Sequence, residues 1–200
     1  MLDGRSCAEA ARFARAESWI ALAHVAAEVR PGMTERQARE LAVATLERHG
    51  AAGHWQPVAA RFGAGILEIA REPSEPARVL GWDDIYSIDV GPIWGRHPGG
   101  AADTFVLGDD PEKHACADAA RDLWRDVQAQ WFRAQPGSEV LRAFAAQQAE
   151  ARGWRLVCGP DGPAGAIACS PRPDGGPWLL KIRIAHPSRP FGALYTRTCS

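Results

Sequence analysis

The sequence lacks several features that mark common functional classes. Its 23 basic and 24 acidic residues leave a formal net charge of −1, without the positive excess of a protein that binds nucleic acid or an anionic membrane. It contains no apolar run long enough to cross a bilayer. The N-terminus opens into a helix with regularly spaced charges, which does not fit a signal peptide. We therefore expect a cytoplasmic protein with no nucleic-acid and no membrane partner.

Cysteine-based and cofactor-binding motifs are missing as well. The five cysteines form an odd set without a Cys-x-x-Cys pair, so neither a zinc ribbon nor a disulfide framework is indicated. Residues 63–65 read Gly-Ala-Gly, which is too short for a phosphate loop or a dinucleotide fingerprint. The sequence also has no nucleophile motif. We therefore predict no cofactor.

The 200 residues, 46% of them hydrophobic, are enough for one domain that spans 1–200. Apolar residues at helical spacing predict a first helix over 8–29, which Pro31 and Gly32 interrupt. Thr34 then caps a second helix in a capping box with Gln37. That helix is expected to stop near residue 50.

The second half of the chain repeats this plan. Asp110 and Pro111 begin a helix, residues 136–137 (Pro-Gly) break it, Ser138 caps the next helix and Gly153 ends that one. The half-repeats cover about 7–108 and 110–200. A duplicated helix-helix-strands unit predicts an α+β domain with pseudo-twofold symmetry.

Strand-like sequence follows each helix pair. The predicted strands cover 54–60, 84–94, 102–107, 154–159, 178–184 and 191–196. Residues 159–177 contain five glycines and five prolines, which is a loop composition that cannot form a central strand. Whether this loop closes over a pocket is left open by the sequence.

Several short motifs together resemble one enzyme family. Residues 85–91 (Ile-Tyr-Ser-Ile-Asp-Val-Gly) and 102–108 (Ala-Asp-Thr-Phe-Val-Leu-Gly) resemble the metal-binding hairpin of the pita-bread metallopeptidases, which include methionine aminopeptidase, aminopeptidase P, prolidase and creatinase. Residues 29–35 are similar to the family's entry into its second helix, residues 61–63 to the segment before that hairpin, and residues 81–85 to the polar turn that leads into it. The resemblance implies the pita-bread fold, with a curved and mostly antiparallel sheet.

The resemblance also implies a metal site, and here the sequence departs from the family. Members hold two divalent cations with two Asp, one His and two Glu. Asp89 matches the first Asp, but the position eleven residues later holds Gly100. Asp103 lies at an odd offset from Gly100, so strand alternation points it to the opposite face unless a bulge intervenes.

The second half matches the ligand set no better. The histidine is expected within 159–177, which contains none. The next ligand, a Glu, corresponds best to Lys181, and residues 191–197 contain no carboxylate for the last one. A lysine beside the one remaining aspartate repels cations. We therefore predict that the chain binds no metal.

Asp89 and Lys181 are expected to face each other in the former metal cavity, with Arg183 on the same face. The pair is interpreted as a structural salt bridge, as an acid-base pair, or as a cationic cradle for a substrate carboxylate or enolate. His54 begins a strand near the expected rim of the pocket and could act as a base. The candidate catalytic residues are therefore Asp89, Lys181 and His54.

Further side chains are predicted to bind substrate through charge, aromatic area or a phenol donor. These candidates are Arg61, Arg71, Trp94, Asp103, Arg183, His186 and Tyr195.

Three functions compete. The favoured one is a metallopeptidase scaffold repurposed for metal-independent elimination, cyclisation or isomerisation of a small molecule, for which natural-product biosynthesis is one setting. The second is a catalytically dead pseudoenzyme that binds a peptide, metabolite or protein. The third is a metal-dependent aminopeptidase or hydrolase with unusual ligands. A homodimer is left open.

Overall fold

The computed structural model describes residues 6–68, 78–157 and 179–198. Four α-helices lie in this part of the chain: α1 (Cys7–Glu28), α2 (Glu35–Arg48), α3 (Pro111–Ala134) and α4 (Ser138–Ala151). Seven strands accompany them: β1 (Gly53–Phe62), β2 (Asp84–Trp94), β3 (His97–Pro98), β4 (Ala101–Leu107), β5 (Arg155–Leu156), β6 (Leu179–Ala185) and β7 (Gly192–Thr198). A short 3-10 helix covers Gly63–Leu67.

The helix starts follow from local capping chemistry. Thr34 and Gln37 form the predicted capping box at α2, in which each side chain binds the other residue's backbone N–H. Asp110 caps α3 directly before Pro111. The prediction for α4 was wrong by one residue: Gly137 is the N-cap and makes no side-chain bond, and Ser138 is the first helical residue.

The strands form one antiparallel sheet in the order β1-β2-β4-β7-β6-β5, with β3 paired to β2. Each half of the chain contributes two helices followed by strands, which confirms the α+β pita-bread plan. The halves meet where β4 pairs with β7. At this seam the buried hydroxyl of Thr104 donates to the Leu194 carbonyl at 2.9 Å and accepts from the Leu194 N–H at 2.7 Å.

The helices cover one face of the sheet. Alternate β2 residues Tyr86, Ile88 and Val90 are buried in a core with α1 and α2. Leu180 and Ile182 of β6 are buried in a second core with α3 and α4. Because successive side chains of a strand alternate between faces, the odd-numbered residues of β2 and β6 point to the other face.

Element ends differ from the predicted ones by only a few residues. The last strand runs to Thr198, and the predicted strand 154–159 is described only over Arg155–Leu156. The predicted loop 159–177 lies outside the described residues. Among the described helices, none has the length and apolar character to cross a membrane.

Candidate functional site

A straight row of side chains crosses five strands on the face that the helices leave uncovered. Its members, paired in register from one strand to the next, are Ala59, Asp89, Ala102, Thr196 and Lys181. Directly paired residues point to the same side of a sheet, so these five side chains share one face. The row begins in the first half of the chain and ends in the second.

The two charged members of this row meet. Lys181 Nζ donates to Asp89 Oδ2 at 2.6 Å, and Gln56 Nε2 donates to Asp89 Oδ1 at 3.0 Å. The Asp89 side chain is 12% exposed and that of Lys181 is 22% exposed. The predicted approach of Lys181 to Asp89 is therefore present, and both carboxylate oxygens have a donor.

The sheet geometry explains how Lys181 reaches so far. Neighbouring strands lie about 4.8 Å apart, so β2 and β6 are separated by about 14 Å along the sheet. The curvature of the sheet shortens this path across its concave side. Ala102 and Thr196, the residues in between, are small, and they leave room for the lysine stem to lie along the sheet.

A second row lies two residues further along the strands and carries positive charge at both ends. In register, Arg61 pairs with Ser87 and Ser87 with Thr104, while Arg183 pairs with Leu194. Arg61 Nη1 donates to Glu35 Oε2 at 3.2 Å. Arg61 is therefore paired with the carboxylate of Glu35, which is buried at the start of α2.

Arg183 has a different environment. Its Nε atom is buried and has no hydrogen-bond partner among the described residues. Burial lowers the pKa of the Arg183 guanidinium, the charge of Asp89 acts against this shift, and the charge of Arg61 adds to it. The second half of the chain thus places on this face a guanidinium group, that of Arg183, whose Nε–H has no acceptor among the described residues.

The row on the other side of Asp89 contains Gln56 and Thr198 and has an apolar stretch around Gly100. Gly100 lies two residues from Ala102, and a Cβ atom at Gly100 would lie 3.2 Å from Leu179 Cδ1 and 3.8 Å from Trp55 Cζ2. Trp55 is held in place by a 2.6 Å hydrogen bond from its Nε1 to the Gly99 carbonyl. Leu179 and Trp55 therefore form an apolar wall next to Gly100.

The model of metallopeptidase family M24 matches residues 9–159, three quarters of the chain. The chain belongs to metallopeptidase family M24. No curated protein matches it significantly.

Solved structures of this family agree with the fold. X-Pro aminopeptidase from Thermotoga maritima has a TM-score of 0.67 at 14% identity, over 94% of this chain and 56% of its own. Prolidase from Pyrococcus furiosus has a TM-score of 0.66 at 12% identity, over 95% of this chain and 59% of its own. A variant of aminopeptidase P from Escherichia coli has a TM-score of 0.68 at 14% identity, over 96% of this chain and 52% of its own. This M24 chain thus spans little more than half the length of these three chains.

The side chains around Asp89 do not fit a centre of two divalent cations. The positions beside it in the central row hold Ala102, Thr196 and Lys181, and Gly100 faces a leucine and a tryptophan. Within residues 6–68, 78–157 and 179–198, no cluster of three or more His, Cys, Asp or Glu could hold a metal ion. Hard cations need several oxygen ligands, and the central row offers a competing ammonium group beside Asp89.

Two predicted site residues lie on the helix-covered face. His54 pairs with Pro92, an even-numbered β2 residue, so the register directs it away from Asp89. Trp94 is 2% exposed, and its Nε1 donates to Ser18 Oγ of α1 at 3.0 Å. The structure does not bring either residue to the Asp89–Lys181 pair.

Asp103 also points to the helix side, as strand alternation predicts without a bulge. It accepts a 3.0 Å hydrogen bond from Arg121 Nε of α3. Burial raises the pKa of Asp103, and the charge of Arg121 opposes that shift. Asp103 therefore links the sheet to a helix and does not approach Asp89.

The remaining candidates lie apart from the central row. His186 sits in the turn after β6, where its Nδ1 accepts from the Arg189 backbone N–H at 2.9 Å. Tyr195 packs on the helix side against Trp19 and Trp124, beside a cleft of about 310 Å³. Arg71 lies outside the described residues.

Sequence reasoning missed Gln56, Thr196, Leu179 and Trp55. Gln56 reaches Asp89 because the register of β1 shifts on both sides of it, and strand alternation alone does not reveal such a shift. Thr196 could have been found, because the last strand was expected to carry a metal ligand. Its hydroxyl oxygen is buried without a hydrogen-bond partner in the described chain.

Proposed function

We propose that this M24 protein has lost the dinuclear metal centre of its family and acts as a metal-independent enzyme on a small organic molecule. Asp89 would accept a proton from a carbon acid, and Lys181 would stabilise the negative charge that develops on a neighbouring oxygen. Elimination, cyclisation and isomerisation all begin with such a step, and a biosynthetic tailoring reaction is one setting for it.

The observation that carries this proposal is the 2.6 Å contact between Lys181 Nζ and Asp89 Oδ2 in a largely buried site. A carboxylate is a competent general base when the group whose proton it removes is held within hydrogen-bond reach. An ammonium group fixed in a site of low water content stabilises an enolate more strongly than it would in water. Asp89 and Lys181 together supply both functions.

In the proposed step, the C–H bond next to a carbonyl breaks and its proton moves to Asp89. The electron pair moves into the carbonyl group, and the resulting enolate oxygen lies against the Lys181 ammonium. Return of the proton to another carbon gives isomerisation, and expulsion of a leaving group gives elimination. Gln56, bound to the other oxygen of Asp89, fixes the orientation of the base.

The second function is a binding role without turnover, and one specific observation favours it. Both oxygens of Asp89 already have donors, Lys181 and Gln56, which is also what a purely structural ion pair requires. In that case, the concave face would hold a metabolite or peptide and change nothing in it.

The third function is a metal-dependent hydrolase with unusual ligands. It requires cations to displace Lys181 from Asp89, and the adjacent positions offer no further carboxylate among the described residues. Elemental analysis of the purified protein, with activity measured before and after chelation, tests it. A chelator-sensitive activity would support this alternative over the other two.

A proton-transfer assay separates the first two functions without a known product. Small carbonyl compounds that raise the melting temperature are incubated with the protein in D2O, and loss of their C–H signals is followed by proton NMR. We expect exchange with the wild type and none with Asp89→Asn, which should still bind the same compound. The exposed Asp109→Asn serves as the matched control and should retain exchange.

Two outcomes would contradict an enzymatic role for Asp89. The first is a bound ligand whose C–H signals do not exchange faster with the wild type than in buffer. The second is an Asp89→Asn variant that exchanges as fast as the wild type. The first outcome would support the binding role.

A further inference from the structure

The concave face changes its chemical character along the strand direction, in three successive rows. Leu179 and Trp55 form an apolar wall at one end. Asp89 and Lys181 hold the centre. Arg183 lies at the other end, two residues beyond Lys181 on the same strand. One strand repeat of two residues is about 6.6 Å, so all three rows lie within reach of one small molecule.

The Arg183 end is built to receive an acceptor. The guanidinium offers five N–H donors, and its buried Nε has no partner within the described residues. Glu35, the carboxylate that Arg61 Nη1 contacts, also accepts from the Phe62 N–H. A buried guanidinium N–H without an acceptor is costly, and an incoming anion would remove that cost.

A second unfilled group lies next to it. Thr196 is 0% exposed, and its Oγ1 has no hydrogen-bond partner in the described chain. It pairs directly with Lys181 and stands between Lys181 and Ala102 in the central row. The Lys181–Asp89 bridge spans Thr196 and Ala102, so the Lys181 side chain crosses Thr196. Two buried polar atoms in adjacent rows of one face therefore lack partners among the described residues.

On these grounds, we propose that the substrate is a small carboxylic acid with an apolar body, bound in one orientation across the three rows. Its carboxylate pairs with Arg183 and the Thr196 hydroxyl, its apolar part lies against Leu179 and Trp55, and its reacting carbon is a few bonds from the carboxylate, over Asp89. The position of the reacting carbon rests on the proposed function, whereas the binding of the acid does not.

The orientation follows from charge and desolvation together. A carboxylate placed against Leu179 and Trp55 would meet mostly apolar surface, which is unfavourable. An apolar group at the Arg183 end would leave the buried Nε of Arg183 without an acceptor. The central carboxylate, Asp89, also repels an anion, so the ligand carboxylate is kept on the Arg183 side of the central row.

The binding test uses the whole chain and 3-phenylpropionate, with 3-phenylpropionamide as the neutral analogue of the same shape. Isothermal titration is expected to detect the acid and to show binding of the amide that is at least tenfold weaker. Equal binding of the two compounds, or binding of neither, would overturn the proposal. This comparison uses the wild-type protein, so it does not depend on a variant that folds.

Arg183→Met keeps the length of the side chain and removes the charge. We expect it to weaken binding of the acid at least tenfold and to leave binding of the amide unchanged. Arg155→Met, at an exposed position of β5, is the matched control and should bind the acid like the wild type. An Arg183→Met protein that folds and binds the acid as tightly as the wild type would refute the role of Arg183.

Leu179→Asp tests the other end of the site. It should abolish binding of 3-phenylpropionate at concentrations that saturate the wild type, and unchanged binding would refute the orientation.

Asp89→Asn separates this inference from the proposed function. We expect it to bind the acid at least as tightly as the wild type, because it loses a repelling charge, whether or not the wild type catalyses exchange. Weaker binding by a folded Asp89→Asn protein would contradict the proposed arrangement.

Discussion

The two halves of the chain share a plan but contribute charge to the site differently. The first half provides Asp89 and the Arg61–Glu35 ion pair, and the second half provides the cations Lys181 and Arg183. In the ligand set that the family resemblance implies, both halves contribute carboxylates around shared cations. In this structure, the ion pair between Lys181 and Asp89 joins the two halves across the site.

The largest effect is expected from removing the cation that joins the halves. Lys181→Met leaves Asp89 mostly buried with Gln56 as its donor, and we expect a loss of about 2–3 kcal/mol in the free energy of unfolding. The partial exposure of the pair keeps this below the cost for a fully buried one. Urea unfolding measures it.

Arg36→Met is the matched control, because Arg36 forms an exposed i,i+4 pair with Glu40. It should change the free energy of unfolding by less than about 0.5 kcal/mol. If Lys181→Met were as mild as this control, the ion pair between the halves would have no structural importance.

The seam between β4 and β7 gives the next prediction. Thr104 and Thr196 are both fully buried, but the Thr104 hydroxyl makes two hydrogen bonds to Leu194 and the Thr196 hydroxyl makes none among the described residues. Thr104→Val should destabilise the protein by about 1–3 kcal/mol, because the Leu194 backbone groups lose their partner. Thr196→Val should be neutral or slightly stabilising.

The comparison of the two valine variants is made by thermal and chemical unfolding. Equal losses would mean that Thr196 has a bonding role in the unliganded protein, which would remove one of the unfilled groups from the proposed carboxylate site. A neutral Thr104→Val would mean that the seam does not depend on this hydroxyl.

Restoring the second aspartate of the family tests the apolar end of the site. Gly100→Asp places a carboxylate against Leu179, and we expect a cost of about 1–2 kcal/mol from the close contact and the buried charge. The combined Gly100→Asp and Leu179→Ala protein should lose less than the sum of the two single changes.

Gly137→Asp is the matched control for Gly100→Asp. A Cβ at Gly137 meets nothing within 4 Å, and Gly137 is the N-cap of α4, where aspartate is favoured. It should be neutral or stabilising in unfolding experiments. If both aspartate variants behaved alike, the apolar wall would not exclude the family's ligand.

The smallest expected effect is on the pH dependence of stability, and it involves Asp110 in the second half of the chain. Hydrogen bonds from Arg189 and from the backbone of Glu112 and Lys113 hold the pKa of Asp110 below its usual range. A lowered pKa in the folded state means that Asp110 stabilises the protein at neutral pH and loses this contribution as the pH falls. Asp110→Asn should therefore lose less stability than the wild type between about pH 5 and pH 2.

Unfolding at a series of pH values measures this slope, and Asp109→Asn is the control that should follow the wild type. An Asp110→Asn protein with the same acid sensitivity as the wild type would show that the contact of the α3 N-terminus with the β6–β7 turn does not contribute.

The sequence predicted the fold well because its signals are local. The capping box of Thr34 and Gln37, the helix start at Pro111 and the strand over 84–94 each depend on neighbouring residues, and the structure has all three. The facing of Asp89 and Lys181, 92 positions apart, was predictable only because the family resemblance supplied the topology.

Other parts of the site could not be predicted from local patterns. The place of Gln56 depends on register shifts in β1, and the apolar wall depends on Leu179 and Trp55, from different halves, both approaching Gly100. The position of His54 opposite Pro92 results from the same shifts. Such contacts depend on strand register. The register is determined by how all strands of the sheet pair, and not by residues that are neighbours in the sequence.

The central claim is that the Asp89 carboxylate is balanced by Lys181 and not by metal. Its most direct test is metal analysis of protein purified without chelators, combined with titration of Mn²⁺ and anomalous scattering from crystals. The account predicts no stoichiometric metal and no anomalous peak at Asp89. Two divalent cations per chain bound at the Asp89 carboxylate, with Lys181 displaced, would contradict it.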